Sequence, residues 1–540
     1  MFISGQLMRA KRRLQIVIVL VLVLGLILRL TNVAHKVYGH NEVLTSMRVV
    51  GYTIPEIEST VLAGPVVTAA QLQQFQQLSP ARSWGDALTA LSTQPEYPPL
   101  FYFLERAWVS VVGASPVALR LLSVLLSVAA LPLMYWLGRV LLRDDWAAGL
   151  AMALLAVSPV QMLYAQEARE YSLWGCTILL SSGLLLRALQ RTGDSAIRRQ
   201  YTQAGWQRSG EAWALYGLSV VLGLYTTLLT VWVVVAQGLY VLLVGSRRHW
   251  ARFGVSLMGA IALFSPWLWV MVQHRETGLS VTVWTQLTQP LGALMRHWGL
   301  HLSSTVVDFD LPATHGFALE VPPLVLLGVA IALLTMPVQV GLPATLFCGV
   351  LLLIPALGLI GAELLLGGER SMVTGSFMPS LLMVLPILAV GLRGWLLSRR
   401  ARLRLWGQGL LALLLVASLS SGLLSASRFT WWNKGVSYHV PVIAEVIRTA
   451  EQPLVLSALT DTGLGNAISL SYQVPAKTPF LFFRPNLPPP LPTDYSDYWV
   501  PYASSDVIES LEKAYGRSVT PVQAPGVYEL WRLGPAAASA

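Results

Sequence analysis

The sequence predicts an all-α polytopic membrane domain of about eleven transmembrane helices, followed by a small C-terminal α/β domain on the outer side of the membrane. Three observations predict this fold class. Of 540 residues, 54% are hydrophobic and only 12% are charged, whereas a soluble domain carries about 25% charged residues. Apolar runs of about twenty residues recur, long enough to cross a bilayer as helices. Near the C-terminus, short strand and helix patterns alternate instead.

The first apolar run follows a basic N-terminus that resembles a signal peptide. No small-residue cleavage site follows it and the run is long, so we expect a retained span. Ten more apolar runs have the length of a membrane helix. The predicted spans are about residues 14–30, 118–138, 147–164, 172–189, 212–228, 229–245, 253–272, 321–337, 343–363, 377–396 and 405–424.

The apolar segment 98–113 is not counted as a span. It is short, and Glu105 and Arg106 lie at its centre, where charges are costly in lipid. A juxtamembrane or re-entrant helix is expected there.

The distribution of basic residues predicts the orientation, because Lys and Arg concentrate in cytoplasmic loops. With a cytoplasmic N-terminus, 19 basic residues lie in cytoplasmic loops and 9 in the outer loops before the C-terminal tail. Counting 98–113 as a span would reverse this distribution for the rest of the chain. The sequence therefore predicts a multi-pass protein of the plasma membrane with an extracytoplasmic C-terminus.

Two domains are expected. Residues 1–427 form the membrane domain, in which 31–117 is the first outer loop with juxtamembrane helices, and 428–540 form the extracytoplasmic α/β domain. Within that domain, strands are predicted at 453–459, 478–484 and 526–533, helices at 440–450 and 505–516, and a proline-rich loop at 484–499.

The net charge of +10 does not indicate nucleic-acid binding, because the basic residues cluster at the ends of the spans. Cys176 and Cys348 lie inside apolar runs, so the chain has no disulfide framework.

In this topology three polar stretches reach the outer side. They are the first loop with Glu42, Glu96 and Arg48; the short loop YAQEAREY with Glu167, Arg169 and Glu170; and GGERSMVTG with Glu369 and Arg370. The alternative for each charged residue is that it is an ordinary solvated loop residue without a functional role. This alternative is weakest for YAQEAREY, where three charges lie in a short loop at the membrane boundary. His297, His301, Asp308 and Asp310 lie in the outer loop 273–320. Their spacing is not diagnostic of a metal site, and the need for a divalent metal ion stays open.

An outer carboxylate and outer arginines suit transfer of a sugar from a lipid-linked phosphate donor. Displacement at the sugar needs a carboxylate base for the acceptor hydroxyl. The phosphate leaving group needs charge neutralisation, which the arginine fork provides. Tyr164, Tyr171 and Trp174 could line such a site, and an interfacial aromatic belt explains them equally well.

Four segments also resemble bacterial members of the protein O-mannosyltransferase and aminoarabinose-transferase superfamily, which has the GT-C fold. In chain order they are HNEVLTSMRVVGYT, YPPLFYFLERAWVSVVGASPVALRLLS, SPVQMLYAQEAREYSLW and FTWWNKGV, the last before the C-terminal tail. The third is the most specific. The likeness covers about residues 1–430 well and the tail weakly.

This resemblance implies a polyprenyl-phosphate sugar donor, inversion at the sugar, a site on the outer face, and a lipid, glycan or protein acceptor. By the motif match, the acidic pair falls on Asn41 and Glu42. Arg169 is implied near the donor phosphate together with Glu167, and Tyr171, Glu96, Pro98 and Pro99 are expected to shape the substrate site.

The chain departs from the family pattern at three places. The family's first acid, usually the base, is replaced by Asn41, so either Glu42 is the base or the enzyme is impaired. Tyr97 stands where a basic residue precedes Pro-Pro. GSFMP (375–379) stands where relatives have an Arg-Tyr pair, so Arg370 is the candidate replacement for a phosphate contact.

Two other functions remain as alternatives. A transporter or lipid flippase usually shows charges near mid-membrane and repeated halves, whereas here the charges lie at the outer edge and no repeat is visible. An inactive GT-C scaffold that binds lipid or partners is the other alternative, and Asn41 motivates it.

Overall fold

The computed structural model describes residues 2–64, 66–192, 204–276, 289–312, 314–523 and 528–535. Arg198 and Arg199, which the orientation argument counted as cytoplasmic, and residues 277–288 of the loop 273–320 lie outside the described residues. The chain divides into two compact units: unit 1 comprises Met1–Thr31, Ser92–Phe101 and Arg120–Ala426, and unit 2 comprises Asn32–Leu91, Tyr102–Leu119 and Ser427–Ala540.

Unit 1 is built from long apolar helices. Among the described residues, eight helices are long and apolar enough to cross a membrane, and the bent pair α8–α9 can form a ninth span. This confirms a multi-pass membrane protein. The helices are α1 Phe2–Leu30, α7 Pro116–Leu142, α8 Asp145–Val157, α9 Pro159–Ala165, α10 Tyr171–Thr192, α11 Ala204–Thr226, α12 Thr230–Val244, α13 Arg247–Gln273, α14 Leu291–Ser303, α15 Gly316–Val340, α16 Leu342–Leu366, α17 Met378–Leu396 and α18 Ala401–Ser427.

All eleven predicted spans fall on these helices. Two of them, 212–228 and 229–245, correspond to α11 and α12, which are neither among the eight nor part of the bent pair. The α12 helix has only 15 residues, which is short for a bilayer core of about 30 Å at 1.5 Å per residue.

The break between α8 and α9 has a local cause. Pro159 lacks an N–H, so the Leu155 carbonyl four residues earlier loses its helical donor, and the two helices meet at 58°. Arg29 of α1 replaces the missing donor, because its Nη2 donates to Leu155 O at 3.0 Å and its Nη1 donates to Ala156 O. A buried guanidinium on α1 therefore satisfies the carbonyls that the bend exposes.

Gln166, the residue after α9, caps α1 in return. Its amide nitrogen lies within 3.0 Å of the carbonyl oxygens of Leu28, Arg29 and Thr31, which are carbonyls at a helix end without helical donors. Arg29 of α1 thus bonds to carbonyls at the helix break, and Gln166 beside the break bonds to carbonyls at the end of α1.

Unit 2 contains a six-stranded sheet of order β1-β3-β2-β4-β6-β5. The central strands β3, β2 and β4 are parallel, and the outer pairs are antiparallel. The strands are β1 Val67–Thr68, β2 Pro453–Ala458, β3 Pro479–Phe483, β4 Asp497–Pro501, β5 Val519–Pro521 and β6 Leu530–Leu533. The helices of the tail are α19 Val440–Thr449, α20 Gly463–Ser471 and α21 Ser505–Tyr515.

The predicted strands at 453–459, 478–484 and 526–533 and the predicted helices at 440–450 and 505–516 match β2, β3, β6, α19 and α21. One core packs this layer: Leu454 and Leu456 of β2 and Val500 of β4 lie with Val507 and Leu511 of α21, all buried. Residues 526 and 527 of the predicted third strand lie outside the described residues.

Most of the first loop, residues 32–91 and 102–117, belongs to the same compact unit as the tail, whereas Ser92–Phe101 belongs to unit 1. Strand β1 of this loop pairs antiparallel with β3, with Val67 opposite Phe480. This covers an edge of β3 that would otherwise expose unpaired backbone groups. The other helices of the first loop are α2 His40–Val50, α3 Ile54–Ala63, α4 Ala69–Gln73, α5 Trp84–Ser92 and α6 Leu100–Val112.

Segment 98–113 contains α6, whose 13 residues are too few to cross a bilayer at 1.5 Å per residue. Within unit 2, Arg106 is buried and donates to the carbonyl oxygens of Val49 at 2.6 Å and Arg82 at 2.7 Å. One of the two charges that argued against a span is therefore satisfied by loop carbonyls.

Candidate functional site

The turn between α9 and α10 carries YAQEAREY and holds a cluster of buried charges in unit 1. Glu167, Arg169 and Glu170 are all buried, and the Arg169 N–H donates to Glu167 O at 2.8 Å within the tight turn. Charges in such a place are stable only when they are paired. We call Arg169, Glu170, Glu167, Tyr164 and Tyr171 the arginine cluster.

Arg169 forms a side-on ion pair with Glu170. Its Nε lies 3.1 Å from Oε2, and its Nη2 lies 3.1 Å from Oε1. Burial alone would lower the pKa of the guanidinium, but Glu170 and then Tyr171 outweigh it and hold the pKa above its ordinary value. The side-on geometry leaves Nη1 outside this pair, so a permanently charged group has donor capacity for a further oxyanion.

Tyrosines surround the arginine. The ring of Tyr171 lies 5.2 Å from the guanidinium carbon, within cation–π range, and 4.5 Å from the ring of Tyr164 between centroids. Tyr97 is close enough to act electrostatically on Arg169. The structure thus brings Arg169, Glu167 and Tyr171 together, with Tyr97 beside them.

The other expected residues of unit 1 lie on the turn before α6. Pro98 and Pro99 are buried and Glu96 is half-buried. The Tyr97 N–H donates to Gln94 O at 3.1 Å, and the Trp267 indole donates to Pro95 O at 3.0 Å. These bonds fix the turn that positions Tyr97.

Gly375 is the reason why Tyr171 can lie where it does. A Cβ at position 375 would overlap the Tyr171 ring, so only glycine leaves room for it.

We expect Gly375→Ala to destabilise the protein by about 1–3 kcal/mol, the usual cost of overpacking. The added methyl group displaces Tyr171 and with it the face against which Arg169 lies. Thermal unfolding in detergent would measure this effect.

Gly361→Ala is the matched control, because a Cβ there meets nothing within 4 Å and alanine is favoured over glycine inside a helix. If the two variants behave alike, the packing of Gly375 against Tyr171 has no influence on the arginine cluster.

Segment 367–375 is anchored by a second network in unit 1. Glu363 accepts hydrogen bonds from Ser371 N at 2.6 Å and Ser371 Oγ at 2.8 Å. Trp298 donates to Ser371 Oγ at 2.7 Å. Gly367 and Gly368 have φ values of 71° and 112°, a left-handed conformation that favours glycine. These contacts set the path of the chain that leads to Gly375.

His301 is fully buried in this network rather than a plain loop residue. Burial lowers its pKa to about 4, so the imidazole is neutral at physiological pH. Its Nε2 donates to Ser371 O at 2.9 Å, and the Thr374 hydroxyl donates to Nδ1 at 2.7 Å. Both ring nitrogens therefore form hydrogen bonds, and His301 holds Ser371 and Thr374 against α14.

Arg370 is half-buried and donates from Nη1 to Gly367 O at 2.8 Å, closing its own turn. Glu369 accepts from the Gln289 amide at 2.8 Å. Asp308 accepts from the Asp310 N–H at 3.2 Å. Within the described ranges, no three His, Cys, Asp or Glu side chains are grouped so that they could hold a metal ion.

The acidic position of the first loop lies in unit 2, at the N-terminus of α2. Glu42 is the third residue of this helix, and its carboxylate accepts from the N-cap Gly39 N–H at 3.3 Å. Lys434 donates to the same carboxylate oxygen at 2.7 Å, and the two side chains are only 1% and 2% exposed. Asn41, in contrast, is exposed.

The segment that supplies Lys434 is bonded to α2 at a further point. The His40 N–H donates to Ser437 Oγ at 2.8 Å, and Ser437 Oγ donates to Asn466 Oδ1 at 2.7 Å. Lys36 lies over the ring of Trp431, 6.0 Å from its centroid. We call Glu42, Lys434, His40, Ser437 and Asn466 the carboxylate cluster.

Several roles were not foreseen from the sequence: Lys434 as the ion-pair partner of Glu42, Tyr97 as a neighbour of Arg169, Gln166 as a cap, and Arg29 as a donor to the helix break. The signal for Lys434 was present in the motif FTWWNKGV, which is otherwise unusual just after an apolar run. Nothing local could pair it with Glu42, because 392 residues separate the two.

The family model of dolichyl-phosphate-mannose-protein mannosyltransferase (PMT) matches residues 84–166 of this chain. The match runs from α5 through Tyr97 and the two prolines to Gln166 at the end of the helix break. It confirms the expected family resemblance over this segment. No curated protein matches the chain in sequence.

The comparison with solved structures finds matches to an archaeal and a bacterial protein. AglB, the oligosaccharyltransferase of Archaeoglobus fulgidus, in complex with an inhibitory peptide and a dolichol-phosphate, has a TM-score of 0.48 at 13% identity over 85% of this chain. This chain spans only 64% of that protein.

ArnT from Cupriavidus metallidurans in the apo state has a TM-score of 0.49 at 13% identity, over 97% of this chain and 98% of that one. The same protein bound to undecaprenyl phosphate has a TM-score of 0.47 at 14% identity, over 96% of this chain and 97% of that one.

Proposed function

We propose that this chain is a GT-C membrane glycosyltransferase, which moves a sugar from a polyprenyl-phosphate donor to an acceptor on the outer face of the membrane. The family match over residues 84–166, together with the eight or nine candidate spans found among the described residues, supports the class. Acceptor lipid, glycan and protein remain open, as does the identity of the sugar.

The observation that carries the proposal is Arg169. It is a buried guanidinium on the short turn between two membrane helices, paired side-on by Glu170 with Nη1 outside the pair. A lipid-linked phosphate keeps its tail in the bilayer and its charge at the interface, where such a group would meet it. In this proposal Arg169 binds the donor phosphate, and Glu167, Tyr171 and Tyr97 shape the site around it. Arg370 is a second proposed phosphate ligand.

The chemistry proposed is a single inverting displacement. A carboxylate takes the proton of the acceptor hydroxyl, the hydroxyl oxygen forms a bond to the anomeric carbon, and the bond from that carbon to the phosphate oxygen breaks. Polyprenyl phosphate leaves with the electron pair. Glu42 is the proposed base, since its pairing with Lys434 at 2.7 Å favours the ionised form that a base requires.

The function is tested by mass spectrometry of envelope glycans and glycolipids from a strain that lacks this chain. We expect one sugar to be missing, and its donor lipid to accumulate. Wild type expressed from a plasmid should restore the sugar, whereas Arg169→Ala should not. Envelopes identical in every sugar would contradict the proposal.

The orientation is part of the proposal, and it has its own test. The N-terminus is proposed to be cytoplasmic and residues 428–540 extracytoplasmic, from the distribution of Lys and Arg. Alkaline phosphatase fused after residue 428 should be active, and a fusion within residues 397–404 should be inactive. The opposite pattern would place the proposed site on the cytoplasmic side.

One observation favours a catalytically impaired scaffold as the second candidate. The exposed position of the acidic pair carries an amide, Asn41, while the carboxylate of Glu42 is only 1% exposed and bonded within unit 2. Under this alternative the protein binds polyprenyl phosphate through the arginine cluster and transfers no sugar.

A further inference from the structure

The ion pair of Glu42 and Lys434 joins two parts of the chain that are 392 residues apart. Glu42 lies on the first-loop helix α2, and Lys434 lies on the 3₁₀ turn Trp432–Ser437, just after the last long apolar helix. Both belong to unit 2. The tail therefore supplies the partner of the proposed base.

The energetics of burial make this partner important. Both side chains are nearly inaccessible, at 1% and 2% exposure. Removing one member of a buried pair is strongly destabilising, whereas replacing both is often neutral. A buried carboxylate that loses a nearby cation is more easily protonated. Loss of Lys434 therefore favours the neutral form of Glu42, and a neutral carboxyl group cannot act as a base.

Lys434 is held in a defined place. Its N–H donates to Trp431 O at 2.9 Å. The next residue, Gly435, has φ 50° and ψ −121°, a conformation that favours glycine. Two residues on, Ser437 is fixed by His40 and Asn466. The turn therefore presents the ammonium group to Glu42 from a rigid backbone.

We propose that Lys434 is a positioning residue of the transfer reaction, which keeps the Glu42 carboxylate ionised and oriented. The tail is then a working part of the catalytic machinery rather than an appended domain. This inference rests on the proposed function and on Glu42 as its base.

The test measures sugar transfer from a radiolabelled polyprenyl-phosphate hexose to membranes of the deletion strain, with purified protein in liposomes. Lys434→Met keeps an unbranched side chain of similar length and removes its charge. We expect its apparent kcat to fall about 10²-fold or more, within the usual contribution of a base. The KM for the donor should change less than about threefold, because the arginine cluster is untouched.

Two further variants separate positioning from simple loss of folding. Lys434→Arg keeps the charge and should restore kcat to within about tenfold of wild type. The double variant Glu42→Gln/Lys434→Met removes both charges of this pair, so it should be at least as stable as Lys434→Met and transfer no more slowly than Glu42→Gln alone. Lys513→Met, at an exposed position of α21, is the control for loss of one positive charge.

The outcomes separate the inference about Lys434 from the proposed function. If wild type transfers sugar and Lys434→Met keeps its kcat, the inference about Lys434 is wrong and the proposed function stands. The inference would also be wrong if the losses of kcat in Glu42→Gln and Lys434→Met were additive in the double variant and Lys434→Arg did not restore kcat. If wild type transfers no sugar from any donor that it binds, the proposed function fails, and the inference fails with it.

Discussion

Arg169→Ala is expected to reduce sugar transfer at least about 10²-fold, because a charge-assisted hydrogen bond contributes about 1.5–3 kcal/mol and the donor phosphate would lose two. The loss should fall on donor binding, so the KM for the polyprenyl-phosphate hexose should rise and a direct titration with the lipid phosphate should show weaker affinity. Arg169→Lys keeps the charge but loses the planar fork. We expect clear impairment, smaller than that of the alanine variant.

A stability effect must be separated from this result, since Arg169→Ala removes an ion-pair partner of the buried Glu170 carboxylate. The double variant Arg169→Gln/Glu170→Gln removes both charges and keeps similar side-chain shapes. It should insert and unfold like wild type and still fail to bind the lipid phosphate. Normal affinity in this double variant would remove Arg169 from the donor site.

Much of this architecture is predictable because it depends on local patterns. An apolar run of about twenty residues and a charge distribution across loops are readable without tertiary information. The helices α19 and α21 and the strands β2 and β3 follow from periodicity. The two-residue strand β1 does not, because Val67 and Thr68 are ordered by pairing with β3 rather than by any propensity of their own.

Of the candidate site, the sequence predicts the arginine cluster but not the surroundings of Glu42. The motif YAQEAREY identified the arginine cluster because three charges in a short loop between apolar runs are costly unless they are used. The surroundings of Glu42 were not predictable. Whether a carboxylate faces solvent or a lysine depends on long-range contacts, and sequence alone did not distinguish Asn41 as exposed from Glu42 as buried.

The helix break shows the same limit. Ser158-Pro159 predicts an interruption, but only tertiary structure shows Arg29 satisfying the carbonyls that it exposes. From the sequence, Arg29 is simply a basic residue near the end of a span. Its role depends on the packing of α1 against α8, which a local sequence pattern does not specify.

Glu42→Gln is the second variant with a large expected effect, and it returns to the acidic position of the first loop. The substitution keeps the shape of the side chain and removes its charge. If Glu42 is the base, the apparent kcat should fall about 10²–10⁴-fold, the usual contribution of a general base. Donor affinity should stay within about threefold, because the arginine cluster is unchanged.

Asn41→Asp sharpens this test. Position 41 is exposed in the first turn of α2, where a carboxylate interacts favourably with the helix dipole. The Asn41→Asp variant should fold normally, and it should transfer sugar at least as fast as wild type if this lineage has lost a preferred base.

The decisive comparison is the double variant Asn41→Asp/Glu42→Gln in the same liposome assay. Recovery of kcat by the exposed aspartate would show that a carboxylate at position 41 can serve as base. No recovery, together with a large loss in Glu42→Gln alone, would leave the buried carboxylate held by Lys434 as the group that takes the proton. Full transfer by Glu42→Gln would direct the search to Glu96 and Glu167, the other carboxylates expected at the site.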